Sequence, residues 1–153
     1  MPAIRSSREA YPQFLLLATR WMDNDVYGHV NNVQYYSYFD TAVNHYLIKK
    51  GWLDIYQNEV VGLVIETKCV YHAAVSFPDE LEIGLRVERL GNSSVRYGLA
   101  IFRKGESLAS AEGHLVHVHV DRKTNAPVSL PAALRALLQP LLVDTLDKRE
   151  ENI

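Results

Sequence analysis

Residues 20–35 read Arg-Trp-Met-Asp-Asn-Asp-Val-Tyr-Gly-His-Val-Asn-Asn-Val-Gln-Tyr. Two acids, a glycine, a histidine and a pair of asparagines crowd a stretch where core packing asks for none of them. Asp, Asn and Gly form turns, so residues 22–29 are expected to be a loop. Asn31 and Asn32 suit the cap or first turn of the helix that follows. The start of a helix presents unpaired N–H groups and a positive partial charge. Such an end polarises a carbonyl or holds an oxyanion. A carboxylate beside it can attack an acyl carbon, or activate a water that does. Acyl transfer is therefore the chemistry this stretch permits. Taken singly, Asp25 reads as a capping or turn acid. Asp23 reads as a structural acid bonding loop amides, and His29 stands between a catalytic and a loop-ordering role.

Two other groups of residues bear on chemistry. His117, His119 and Asp121 stand at i, i+2 and i+4 on a strand, which puts them on one face. A His-x-His pair can bind zinc if a third ligand completes the set. The favoured reading is that these side chains face solvent or another subunit without a metal. Cys69 has no histidine near it in sequence and reads as a small buried hydrophobe.

The elements that must position residues 20–35 follow from periodicity. Residues 1–11 look like a polar lead-in, and residues 13–21 like an apolar strand. From 30 to 50 the spacing is helical. One row runs Val33, Tyr36, Phe39/Asp40, Val43, Leu47, and a second runs Tyr35, Tyr38/Phe39, Ala42, Tyr46. So wide an apolar stripe belongs to a helix buried over much of its surface. Lys49, Lys50 and Gly51 end it, with cations at the negative end and then a residue tolerant of positive φ. After Gly51 the period becomes two. Strands are expected at 60–71, 81–90, 95–103 and 107–121, with turns at 91–94 and 104–106. A loop follows at 122–127, then a short helix at 131–142 that starts with Pro131. The tail from 146 is polar and expected to fray. The order is one strand, a long helix, four antiparallel strands and a small helix. That is an α+β chain whose sheet wraps around its one long helix.

The bulk composition sets outer limits. The chain has 153 residues, 48% hydrophobic and 22% charged, enough for one packed domain spanning 1–153. A formal net charge of −2 supplies no global field for nucleic acid. One cysteine excludes an internal disulfide and suits a reducing compartment. The N-terminus shows no signal-peptide pattern and no apolar run is long enough to span a bilayer, so a cytoplasmic, soluble protein is expected.

The string D-x-D-x-x-G-H-V-N-N-x-x-Y, from Asp23 to Tyr35 and running into an aromatic helix, resembles the signature of the 4-hydroxybenzoyl-CoA thioesterase branch of the hotdog superfamily. The plant acyl-ACP thioesterases carry a related motif. The resemblance spans about Phe14 to Pro131, and the segment Val116 to Thr124 followed by Pro127 resembles the family's closing strand. It implies a hotdog fold and hydrolysis of an acyl-CoA thioester to acid and free coenzyme A. Asp25 falls where the family keeps its catalytic carboxylate, as nucleophile or general base, and His29 matches a histidine that plant relatives use. Tyr27 stands where the plant enzymes have Asn, so a plant-like Asn–His mechanism does not carry over. Tyr27, Gly28, Asn31 and Tyr35 are expected around the substrate. Gly62 and Leu63 fall near a second polarising backbone, and Glu66 is a candidate second carboxylate. Arg89 and Arg96 flank a turn and are the cations chosen to meet the coenzyme's phosphates. The resemblance implies a homodimer or homotetramer with sites between subunits, and no metal or cofactor. A thioesterase acting on acyl carrier protein and a non-catalytic acyl-CoA-binding hotdog protein are the alternatives. A hotdog dehydratase is disfavoured because its histidine motif has no match.

Overall fold

A computed structural model of the chain describes residues 4–144. Its elements are β1 (Gln13–Ala18), α1 (Asn32–Lys49), β2 (Val60–Tyr71), β3 (Glu80–Leu90), β4 (Ser94–Arg103), β5 (Ala111–Asp121) and α2 (Ala132–Leu138). The strands form one antiparallel sheet in the order β1-β3-β4-β5-β2. The expected α+β hotdog architecture is therefore present, with α1 against one face of the sheet.

The alternation in β3 and β4 decides which face meets the helix. Leu81, Ile83, Leu85 and Val87 of β3 join Val95, Tyr97, Leu99 and Ile101 of β4 in the main core. Against them α1 buries Tyr35, Tyr38, Phe39, Ala42, Val43, Tyr46 and Leu47. Each Val, Leu, Ile or Phe side chain among them contributes roughly 1.5–3 kcal/mol when fully buried. Of the two rows expected on α1, the one through Tyr35 and Ala42 faces the sheet, together with the C-terminal members of the other. Val33, at the head of the first row, is exposed. Gly51, at φ +80°, closes the helix: its N–H donates to the Ile48 carbonyl and that of Trp52 to Leu47. Those two bonds satisfy carbonyls that a helix end leaves open. Leu134, Leu138 and Leu141 complete the core, so α2 and the turn after it are packed into it.

Several expectations change. The first strand stops at Ala18 because Trp21–Asp23 coil into a 3-10 turn. The last strand starts at Ala111 rather than 107, and α2 ends at Leu138 before a 3-10 turn, Gln139–Leu141. The described part of the lead-in, from residue 4, packs onto the fold: Tyr11 is buried on the far face of the sheet with Ala100, Phe102 and Ala109. His117 and His119 are buried as well, so the expectation that they face solvent or a subunit is wrong. The register pairs His117 with Val95 on the helix side, and His119 two residues on shares that face, where an imidazole must pack as a core ring. His117 meets Tyr97 edge-on at 5.5 Å between ring centroids. The fraying expected from 146 lies outside the described residues. No helix of the described residues is long and apolar enough to cross a membrane.

Candidate active site

The loop before α1 is held at both ends. Asn24 and Val30 form an isolated antiparallel bridge, and the Asp25 N–H donates to the His29 carbonyl at 3.0 Å. The Gly28 N–H donates back to the Asp25 carbonyl at 3.0 Å. Gly28 itself sits at φ +81°, which side-chain-bearing residues rarely adopt. From across the fold, the Phe77 N–H donates to Asn24 Oδ1, and the Val30 N–H donates to the Val75 carbonyl.

Asp25 is half-exposed on this loop. Its Oδ1 accepts from the Tyr27 N–H at 2.9 Å and its Oδ2 from the Asn31 side-chain amide at 3.3 Å. Asn31 is the N-cap of α1, with its Oδ1 accepting from the Val33 N–H at 2.9 Å. The carboxylate is thus tied directly to a helix start, where the partial charge is positive.

Beneath it lies Asp23, buried and fully engaged. Its carboxylate accepts from the backbone and guanidinium of Arg20 and from the Tyr38 hydroxyl at 2.8 Å. Burial alone would push this carboxyl up, but the bonds from Arg20 and Tyr38 outweigh it and hold it below the usual range. Tyr38 projects from the second turn of α1, so the pair bolts loop to helix. The i,i+3 spacing of Arg20 and Asp23 is the one local signal that could have marked the Arg20 half of this arrangement. No local signal marks Tyr38 or the Tyr71 hydroxyl, which donates to the Asn32 carbonyl at 3.0 Å.

Of the other expected residues, Tyr27 and His29 are exposed on the loop, and His29 contributes its carbonyl to the turn. Tyr35 is buried, with its ring edge-on to Tyr71 at 4.9 Å. Tyr35, Asn32 and Tyr71 line a cavity of about 270 Å³ at the start of α1. Asp25, Gly28, Asn31 and Tyr35 therefore gather around one helix end.

Gly62, Leu63, Glu66, Arg89 and Arg96 do not join them within one chain. Gly62 lies opposite His119 on β5, and Leu63 is exposed on the edge strand. Glu66 bonds His114 Nε2 at 2.7 Å, and Arg96 bonds His114 Nδ1 at 3.2 Å and Glu88 at 3.1 Å. Arg96 can only donate, so Nδ1 of His114 accepts and its Nε2–H donates to Glu66. These groups line a separate groove on the far face of the sheet, while Arg89 is exposed beside the bulge in β3. Cys69 is half-buried, and burial pushes its thiol up to about 11, which leaves it without thiolate character at neutral pH.

Residues 19–138 match the thioesterase-like superfamily. The chain belongs to that superfamily. The reaction class of this thioesterase is thioester hydrolysis. The PA5185 protein of Pseudomonas aeruginosa strain PAO1 is 55% identical to it, with a TM-score of 0.89 over 91% of this chain and 97% of that one. YsmA of Bacillus subtilis strain 168 is 26% identical over 80% of the thioesterase and 82% of its own length. A DHNA-CoA thioesterase of Staphylococcus aureus shares the fold at 20% identity, with a TM-score of 0.70 over 76% of this chain and 79% of that one.

Proposed function

We propose that this thioesterase hydrolyses acyl-CoA thioesters, with Asp25 as the catalytic carboxylate. The observation that carries the reading is the Asp25 side chain, half-exposed and bonded through Asn31 to the first turn of α1. As general base, Asp25 takes a proton from a water whose oxygen bonds to the carbonyl carbon. The C–S bond then breaks, its electron pair leaves on sulfur, and protonation gives the free thiol. As nucleophile, Asp25 instead bonds to the carbonyl carbon itself, the C–S bond breaks with its electron pair leaving on sulfur, and water then hydrolyses the anhydride to the free acid and the Asp25 carboxylate. The amides of Val33 and Gln34 are both engaged by Asn31, and among the described residues Asn32 N–H has no protein acceptor. Asn32 also lines the cavity, so its amide is the first-turn donor open to a carbonyl oxygen there.

A second copy of the chain completes the assembly. β2 is an edge strand of 12 residues, and Leu63, Val64 and Ile65 in it are exposed. An unpaired apolar edge of that length seeks another strand. We assign it to a homodimer or homotetramer, working in the cytoplasm as the single cysteine suits.

The test is thiol release from short, medium, long and aromatic acyl-CoA substrates, with wild type and Asp25→Asn side by side. The expected result is turnover of at least one substrate and a folded variant at least ~100-fold slower, the usual loss for a positioned base. Equal rates would remove Asp25 from the mechanism. Faster turnover of the same acyl group on acyl carrier protein would reassign the carrier.

A further inference from the structure

Asn31 has four polar groups, and the structure uses all of them. Its N–H donates to the Asp23 carbonyl at 2.9 Å and its carbonyl accepts from the Gln34 N–H at 2.9 Å. Its Oδ1 caps α1 through Val33, and its Nδ2–H reaches Asp25 Oδ2. The cap and the carboxylate tether are thus the two ends of one planar amide.

We infer that Asn31 is a positioning residue for the reaction: it sets where the Asp25 carboxylate stands relative to the α1 N-terminus. The inference rests on the catalytic reading of Asp25. Cap chemistry alone does not ask for asparagine here, because Asp and Ser cap helices as well. Holding a carboxylate does ask for it. Asp would offer only acceptors, and Ser is too short to span from the helix to Asp25. Without the Asn31 bond, Asp25 keeps only the Tyr27 N–H on Oδ1, and that single bond leaves the whole carboxylate freer to turn about the Cβ–Cγ bond. A base or nucleophile displaced from its line of attack loses rate without losing substrate affinity.

Three variants separate positioning from capping. Asn31→Ser and Asn31→Asp retain the cap, and Asn31→Ala removes it. The expected result is a melting temperature near wild type for the Ser variant and a lower one for the Asp variant, whose carboxylate repels Asp25, with kcat lower by roughly tenfold or more and KM unchanged in both. A purely structural role would instead leave both at wild-type kcat, with only Asn31→Ala impaired, and that outcome overturns the inference. A readout free of turnover is the side-chain amide signal of Asn31 in an N–H correlation spectrum. It is expected to move in Asp25→Ala, and an unmoved signal also overturns the inference. Asp25→Asn, run alongside, tells the two failures apart. If it is slow while Asn31→Ser and Asn31→Asp are normal, only the role of Asn31 falls. If it is as fast as wild type, the catalytic reading of Asp25 falls.

Discussion

Asp23 and Asp25 are two residues apart and have opposite environments. Asp25 is half-exposed and held by two neutral donors, whereas Asp23 is buried under Arg20 and Tyr38. A group free to meet a substrate and a group fully engaged by its own fold do different work. Tyr38→Phe leaves the buried Asp23 oxygen short of a donor, so it should destabilise the protein by about 1.5–3 kcal/mol, the usual range for a bond to a charged group. Urea unfolding measures this, and an unchanged midpoint would show that Arg20 alone suffices. Because the Asp23 carboxyl is held below its ordinary value, its contribution is present above the unfolded-state pKa and is lost as pH falls through the folded one.

At the scale of elements, β5 carries both the helix-side packing and the joint with β2. Burial, with a smaller effect from His119, lowers His117 from 6.5 to about 4. The sign follows directly: a depressed histidine favours the folded state above its unfolded pKa and loses that contribution as the ring is forced to charge on acidification. Stability should therefore fall between about pH 6.5 and pH 4. His117→Leu should flatten that part of a urea-midpoint profile, and an equal slope in both proteins would assign the effect elsewhere. The β2–β5 joint depends on Gly113, where an added Cβ would collide with the Lys68 carbonyl across the pair. A backbone carbonyl cannot swing aside as a side chain can. Gly113→Ala should cost about 3 kcal/mol, the upper part of the range for overpacking, measurable by thermal melting.

For the molecule as a whole, β1 and β2 are the sheet edges, and β2 is the long apolar one. If a second copy covers it, wild type should run in sedimentation as a multiple of 17.4 kDa. Ile65→Lys, at the bulge of the β2–β5 pair, should shift it toward the monomer and lower thioesterase activity with it. A wild type that is monomeric at the concentrations where it turns over substrate would end the homo-oligomer proposal. Gly62, Leu63 and Glu66 would then stay where a single chain puts them, away from Asp25.

Local regularities determined most of the architecture. Alternation in 81–90 and 95–103, the two apolar rows of α1 and the Lys-Lys-Gly stop each report a period or a cap set by neighbours in sequence. The turn residues and the Asp23-to-Tyr35 string likewise marked the loop and its asparagine cap, because loop and cap are short-range chemistry. What the tertiary structure alone decided is long-range. A period of two puts His117 and His119 on one face but does not say whether that face meets helix or water. Tyr11 reads as lead-in until its ring is placed on Gly84 and Phe102. Tyr71 reaches the start of α1 from 39 residues away. Asn31 looked like a cap or a substrate contact, and only the closed loop showed its amide turned toward Asp25. Contacts between residues far apart in the chain depend on how elements pack, and packing leaves no periodic trace in the residues that make it.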